Sequence, residues 1–253
     1  MLPLERQKKI IEFMKENRVA TVPELSAHFD VHDATIRRDL SYLEKKGMMK
    51  RTHGGVMIDE DVHSEPTFQE RESAQTEEKM RIGQQAAKMI NHGDNIILDS
   101  GTTTLHIAHA IADKQNLTVI TNDINIAATF RASNSIKVIV TGGILFPDSY
   151  MLNGMITDHV LETVNVHKAF IGTPALHHEK GLTHFDEVLV TAKRGMIRAA
   201  KQVIVVTDHT KIGGVSLHTV ASPEQIHDIV TGKEAHEVDI AAWDNHGTHI
   251  HLV

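Results

Sequence analysis

The sequence predicts an α/β chain in two parts. An N-terminal winged helix-turn-helix over residues 1–58 is followed by a linker over 59–75 and an α/β domain with a mainly parallel sheet over 76–253. Three observations predict it. A capping signal, a turn and an apolar stripe stand in helix-turn-helix order between Thr21 and Leu43. A Gly54-Gly55 pair between two short runs reads as a hairpin. From Ile96 onward, short β-branched runs alternate with helical segments, the pattern of a parallel sheet.

The first helix is expected over about Leu4 to Glu16, with Ile10, Ile11 and Met14 inward. Thr21 and Glu24 then form a T-x-x-E capping box, and Pro23 lies in the first turn, where its missing N–H costs little. Leu25 and Phe29 share a face of that helix. After Asp30-Val31-His32 a second helix opens near Asp33. On it Ile36, Leu40 and Leu43 make a buried stripe, so Thr35, Arg38 and Tyr42 point away and Arg37 lies on the flank. This outward face has the chemistry of a recognition helix. Arg can hold guanine O6 and N7 together or clamp a phosphate, and Thr can meet a base edge or a thymine methyl. Gly47 ends the helix. Met48 to Arg51 and Val56 to Ile58 flank the Gly54-Gly55 turn, and Lys50, Arg51 and His53 on this wing would sit over the phosphate backbone. The competing reading is an ordinary helical subdomain with a basic helix. Cap, stripe, two-Arg face and wing agree in order, which favours double-stranded DNA as the partner.

With 253 residues and 41% hydrophobic composition, the chain suits one small and one larger domain. It has no cysteine, which excludes disulfides and thiolate metal sites and fits a reducing cytoplasm. No apolar run approaches transmembrane length, so no membrane partner is expected, and Met1 to Lys9 is too polar for a signal peptide. The net charge of −7 is unevenly spread. Residues 1–57 hold 11 Lys and Arg against 8 Asp and Glu, and the remainder 15 against 25. A basic head on an acidic body turns the head toward DNA.

Asp59 to Gln75 is polar and holds Pro66, as a linker would, with Phe68 its one side chain suited to packing. Thr76, Glu77 and Glu78 open a helix that carries Ile82, Ala86 and Met89 on one face. Strands are then expected at Ile96–Leu98, Val119–Ile120, Val138–Val140, Ala169–Ile171, Val203–Val206, Ile226–Val230 and Ile250–Val253. Helices fall between them, including one over about Val188 to Ala200.

The polar residues stand in the loops after these strands, where open parallel sheets bind ligands. Asp99, Ser100, Gly101, Thr102, Thr103 and Thr104 link a strand to a helix. Glycine lets the backbone approach a ligand, helix-start N–H groups face an anion, and hydroxyls add donors. That chemistry suits a phosphate, although hydroxyls there equally well cap the helix. Thr121-Asn122, Gly142-Gly143, Gly172 and Asp208-His209-Thr210-Lys211 follow later strands, and Lys193 precedes the last of these. Convergence of several such loops at one edge favours a site. Lys193 and Lys211 read as anion ligands, against the commoner fate of lysine as a solvated surface group.

These residues resemble the DeoR family of bacterial transcriptional regulators. The head matches the family's recognition pattern at Val31, at Ala34-Thr35-Ile36-Arg37-Arg38-Asp39-Leu40, at Leu43-Glu44 and Gly47, and at His53-Gly54-Gly55. His32 departs from it, standing where the family carries a serine cap. The body matches the family's D-x-G-T-T, T-N, G-G, F-I-G, G-[LIV]-T and D-x-[ST]-K-[FI]-G segments. They fall at Asp99–Thr103, Thr121-Asn122, Gly142-Gly143, Phe170–Gly172, Gly181–Thr183 and Asp208–Gly213. The resemblance implies a sugar-phosphate sensing domain on the fold of ribose-5-phosphate isomerase. Gln75–Lys79 and Val205–His209 are most similar to the glycerol-3-phosphate branch.

The expectation is therefore a cytoplasmic repressor of a carbohydrate operon. It binds operator DNA as a homo-oligomer, dimer or tetramer, and is released by a phosphorylated sugar or polyol, with no cofactor and no metal. The alternative is a sugar-phosphate isomerase with an appended DNA-binding domain. Against it, Lys193 stands where the isomerase carries its carboxylate base, and Thr173-Pro174-Ala175 holds no carboxylate. Asp186 and Glu187 are the nearby acids. Among 19 histidines, His246, His249 and His251, and also His177-His178, suit a metal by composition alone and are read as solvated.

Overall fold

The computed structural model describes residues 3–17, 19–45, 49–52, 55–57 and 66–253. The chain divides into two compact units, Met1–Ser64 and Glu65–Val253.

The first unit runs α1 (Pro3–Asn17), β1 (Val19–Thr21), α2 (Val22–Phe29), α3 (Asp33–Lys45), β2 (Lys50–Thr52) and β3 (Gly55–Met57). The capping box is made as expected. Thr21 N–H donates to Glu24 Oε2 at 2.7 Å, and Glu24 N–H donates back to Thr21 Oγ1 at 3.3 Å. The departure at His32 does not move the start of α3, because its carbonyl accepts from Thr35 N–H at 2.8 Å and Ile36 N–H at 3.2 Å. Ile36, Leu40 and Leu43 are buried against Ile10, Met14, Leu25 and Val56 in one cluster. The wing differs from expectation. Its strands form the order β1-β3-β2, with a three-residue strand too short for a period-2 signal to reveal. Gly55 lies in β3 opposite Thr21. A Cβ there would stand 2.5 Å from the Ala20 carbonyl oxygen, so the close approach of β1 demands this glycine. Gly47, His53 and Gly54 lie outside the described residues, as do the side chains of Lys50 and Arg51.

The second unit opens on α4 (Phe68–Ser73) and α5 (Thr76–Lys88). There follow β4 (Asn95–Leu98), α6 (Thr102–Ala110), β5 (Leu117–Thr121), α7 (Ile124–Thr129) and β6 (Ile136–Val140). A hairpin of β7 (Ile144–Phe146) and β8 (Met151–Asn153) leads to α8 (Met155–Glu162) and β9 (Val166–Ile171). Next come β10 (Ala175–His177), β11 (Gly181–His184), α9 (Glu187–Ala199), β12 (Ala200–Val206), β13 (His218–Ala221), β14 (Asp228–Thr231), α10 (Glu237–Ala241) and β15 (His249–Leu252).

The seven-stranded sheet has the order β15-β14-β12-β9-β4-β5-β6. Every neighbouring pair in it is parallel. Alternate residues supply two cores, one on each face. Ile96, Leu98, Phe170, Ile204 and Val206 pack with residues of α5, α6 and α7. Ile97, Ala169, Ile171, Val203 and Val205 pack with residues of α8 and α9. The hairpin β7–β8 and a small antiparallel sheet, β10-β11-β13, were not expected from the sequence. Their strands of three or four residues carry no readable alternation.

The expected linker over 59–75 is corrected in its second part. Residues 59–65 lie outside the described residues. Thr67 and Glu70 form a second capping box at the start of α4. Phe68 is buried, meets the Tyr150 ring edge-on at 5.2 Å, and donates its N–H to Asp148 O at 3.1 Å. One aromatic in a polar stretch is enough to dock a short capped helix, and the surrounding polarity hid it.

Candidate functional site

Strand order places the site. From β4 the chain adds β5 and β6 on one side, and from β9 it adds β12, β14 and β15 on the other. The topological switch point thus lies between β4 and β9, where a crevice opens beyond the carboxyl ends. Asp99 follows β4, and Gly172 follows β9. Asp99 is almost wholly buried. Its Oδ2 accepts from Gly172 N–H at 3.0 Å and from the Lys193 ammonium. Lys193, equally buried on α9, also donates to Gly172 O at 2.8 Å. Lys193 is therefore not a free anion ligand. Two of its three donors hold the crevice together, and one remains for a ligand.

The helix that starts here, α6, has Gly101 at its N-cap and no side chain capping it. Thr104 Oγ1 donates to Gly101 O at 2.8 Å, so this hydroxyl is turned away from the first-turn N–H groups. The competing idea, that the hydroxyls merely cap the helix, fails for this residue. Thr102, Thr103 and Thr104 are all buried. Beside them Ser100 N–H donates to Asn122 Oδ1 at 3.1 Å, and Ser100 Oγ donates to Asp123 Oδ2 at 2.7 Å. Thr121 Oγ1 accepts from Asp123 N–H at 3.1 Å. Asp123 is absent from the sequence reading. Its Oδ1 caps α7 through Asn125 N–H at 2.7 Å and Ile126 N–H at 3.0 Å, and burial pushes its carboxyl up. An Asp before the apolar run from Ile124 was the available signal.

Gly142 and Gly143 follow β6 with φ of +74° and +120°, and a Cβ on Gly143 would meet Asn153 O at 2.6 Å. On the other side of the switch point, Asp208 caps the short turn His209–Lys211 after β12, accepting from Thr210 N–H at 3.1 Å. Lys211 is half-buried; its N–H donates to Asp208 O at 3.2 Å, and its ammonium makes no hydrogen bond or ion pair among the described residues. The start of α5 closes this end. Glu78 is buried and accepts from His209 N–H at 2.7 Å and Gly232 N–H at 3.1 Å, while Glu78 Oε2 pairs with His209 Nδ1 at 2.7 Å. Lys79 is buried too, donating to the carbonyls of Arg71 and of Ala74, the latter at 2.7 Å. Burial, and next to it Lys211 and Arg71, push the Lys79 ammonium down, opposed by Asp208. Glu78 and Lys79 escaped the sequence reading because charged residues in a first turn are normally solvated dipole partners.

His184, at the end of β11, is a further residue the sequence did not reveal. It is buried, its Nδ1 accepts from Asp186 N–H at 3.1 Å, and burial followed by Lys193, with Arg71 contributing, pushes it down to about 3. Arg71, Lys79, Lys193 and Lys211 thus gather cationic charge at this edge of the sheet. The His184 shift carries a stability consequence. The unfolded chain takes up a proton near 6.5, whereas folded His184 stays neutral to about 3. Its contribution is whole above pH 6.5 and is lost as pH falls through this window, by at most about 1.4 kcal/mol per pH unit. Urea midpoints at pH 7 and pH 5 are expected to fall further apart for the wild type than for His184→Asn. Equal separations would remove His184 from the acid response.

Among the described residues, two groups offer metal-ligand atoms within 4.8 Å of one another, His177-His178-Glu179 and Glu78-Asp208-His209. In the first, His177 Nδ1 already accepts from Glu179 N–H at 3.1 Å. His251 Nε2 instead pairs with Asp228 Oδ1 at 2.8 Å, separately from His246 and His249.

On α3, Arg37 and Arg38 are exposed, Tyr42 is half exposed, and Thr35 is partly covered. Asp39 faces inward, accepting from Arg6 Nε at 2.6 Å and Gln7 Nε2 at 2.9 Å. Two adjacent arginines are thus outward while the next acid ties the helix to α1.

A winged helix followed by a parallel α/β unit, with a crevice at its switch point lined by hydroxyls and by charged groups of both signs, defines a DNA-binding protein with a ligand-sensing body. Residues 6–62 match the DeoR-like helix-turn-helix domain and residues 74–233 the DeoR C terminal sensor domain. The chain belongs to the DeoR family. It is 35% identical to the HTH-type transcriptional regulator GolR of Listeria innocua, over 91% of each chain. It is 35% identical to the uncharacterized HTH-type transcriptional regulator YulB of Bacillus subtilis, over 97% of this chain and 95% of that one. The glycerol-3-phosphate regulon repressor of Escherichia coli is 30% identical over 91% of each. That branch is among the relatives, with others at equal or higher identity. A solved ribose 5 phosphate isomerase A from Neisseria gonorrhoeae matches 55% of this chain and 53% of its own at 10% identity and a TM-score of 0.39, which assigns no residue here.

Proposed function

We propose that this chain represses a carbohydrate operon, binding operator DNA through α3 and the wing, and that a phosphorylated sugar or polyol releases it. The observation that carries the ligand half is the start of α6. It opens at the switch point with no side-chain cap, beside buried hydroxyls. Helix-start N–H groups in that state suit a phosphate. The effector must prefer the state in which paired heads are wrongly spaced for DNA, since equal affinity for both states shifts nothing. A cysteine-free chain with no described helix long and apolar enough to cross a membrane is consistent with work in the cytoplasm.

The isomerase reading is weaker on the same geometry. Lys193 holds Asp99, Asp186 Oδ1 caps α9 through Val188 N–H at 2.9 Å, and Glu187 is exposed. No carboxylate among these is poised as a free base. Turnover of a pentose phosphate by the purified protein would reverse this preference.

The ligand test is thermal stabilisation across a panel of sugar and polyol phosphates. The specific ligand at one hundred times its Kd should contribute about 2.7 kcal/mol, and its unphosphorylated form nothing. A flat panel removes the sensor reading. For the head, Arg38→Ala should lose about 1–3 kcal/mol of operator discrimination. Arg37→Ala should weaken binding to all duplexes and flatten its salt dependence. Titrations on operator and random duplexes separate the two, and unchanged affinity in both variants would displace α3 from the groove.

A further inference from the structure

An apolar surface lies at the β6 edge of the main sheet. Val140, Ile144, Leu145, Met155, Ile156 and Val188 are large apolar side chains between 43% and 88% exposed. They cluster along the elements that follow β6 and open α8 and α9, with Ile144 and Leu145 on opposite faces of the hairpin. Val140 ends β6, the last strand of its sheet, and Gly142-Gly143 leads from it into the β7–β8 hairpin. Gly154 then delivers Met155 and Ile156 into the first turn of α8, and a Cβ on Gly142 would stand 3.3 Å from Ile156 Cγ2. Asn153 Nδ2 donates to Val188 O at 2.7 Å, tying the hairpin to the start of α9.

We infer that this surface is where a second copy of the chain docks, about a two-fold axis. Size is the first argument. With Ile144 and Leu145 on opposite hairpin faces, the five residues that share a face expose roughly 550 Å² on one copy, and covering them on two copies would bury about 1,100 Å², above the roughly 1,000 Å² a specific interface needs. A patch above a few hundred Å² marks an interaction site. Charge is the second. From Val138 to Thr157 the sequence holds one charged residue, Asp148, and beside Val188 stands one exposed acid, Glu187. A two-fold axis sets identical surfaces against each other, so a nearly neutral face meets its copy with little like-charge repulsion. It offers nothing to a polyanion or an anionic lipid headgroup. The hairpin is the third. Leu145 and Leu152 stand opposite each other on one of its faces, and Leu145 is exposed. The other face carries Met151 and Asn153, both buried, so the hairpin packs on its own chain there and leaves Leu145 uncovered.

The surface shares backbone with the crevice. Thr157 Oγ1, on α8, donates to Gly142 O at 2.5 Å. Given the sensor reading above, a ligand engaging Gly142-Gly143 acts on a segment that also borders the partner copy, which is a direct route from effector to the spacing of the two heads. The docking itself does not depend on that reading.

Sedimentation equilibrium on the full chain at about 10 μM tests the surface. The wild type is expected at twice the 28.1 kDa chain mass or a higher multiple. Met155→Glu with Ile156→Glu should lower the assembly state, while Val238→Glu, on α10 and also exposed, should not. Because the chain has no cysteine, single cysteines at Ile144, Met155, Ile156 and Val188 give a second readout that does not depend on tolerating a charge. At least one should cross-link two copies under mild oxidation, and Val238→Cys should not. A monomeric wild type, an assembly unchanged by the glutamates, or a cysteine series that never cross-links would overturn the inference, whatever the fate of ligand or DNA binding.

Discussion

Lys211→Ala is expected to yield a protein that stays on operator DNA at effector concentrations that release the wild type. Lys211 is half-buried at the carboxyl edge and its ammonium makes no hydrogen bond or ion pair among the described residues, so removing the side chain costs the fold little. What it removes is a charge available to an anion. A charge-assisted hydrogen bond contributes about 1.5–3 kcal/mol, so effector affinity should fall roughly 10- to 100-fold. Thr102→Val should act in the same direction more weakly, losing a hydroxyl donor while keeping its shape at a buried position. Both variants should bind operator DNA as the wild type does, because neither change touches the head. An electrophoretic shift assay with effector titration reads all three proteins. If Lys211→Ala releases DNA at the wild-type concentration, the anion does not sit between α6 and the loop after β12.

Lys193→Met should be among the most damaging single changes in the second unit. It leaves the Asp99 carboxylate, 1% exposed, without its cation. Breaking one side of a buried ion pair costs about 3–5 kcal/mol, a large share of the stability of an ordinary domain. Adding Asp99→Asn removes the uncompensated charge and keeps an oxygen for Gly172 N–H, so the double variant should recover much of the loss. Urea denaturation of the two variants beside the wild type measures this. A single variant within about 1 kcal/mol of wild type would mean that the pair is not a structural tie across the switch point. Lys193 and Lys211 thus differ in the fold, the first tied to Asp99 and Gly172 and the second with its ammonium unpaired among the described residues.

Much of the fold was legible because its signals are local. The Thr21–Glu24 box, the Ile36-Leu40-Leu43 stripe and the β-branched runs each lie within one turn or one strand, and each formed as read. Where the signal needed a distant partner, it failed. Gly55 looked like half of a turn and is instead the place where β1 passes close. Phe68 looked like an isolated aromatic in a linker and is docked by Tyr150, far along the chain.

The site divides in the same way. The sequence by itself determined which chemistry stands in which loop, because Asp99 to Thr104, Thr121-Asn122, Gly142-Gly143, Gly172 and Asp208 to Lys211 each follow a strand, and strand ends are set by local pattern. Only the tertiary structure decided which of these meet. Strand order β9-β4 brought Asp99, Gly172 and Lys193 together, gave Lys193 a partner in Asp99, and buried Glu78, Lys79 and His184. Sheet order and charge pairing are long-range properties. Each depends on which segments bury their apolar faces against each other, and that choice is made by the packed core rather than by any stretch of chain alone.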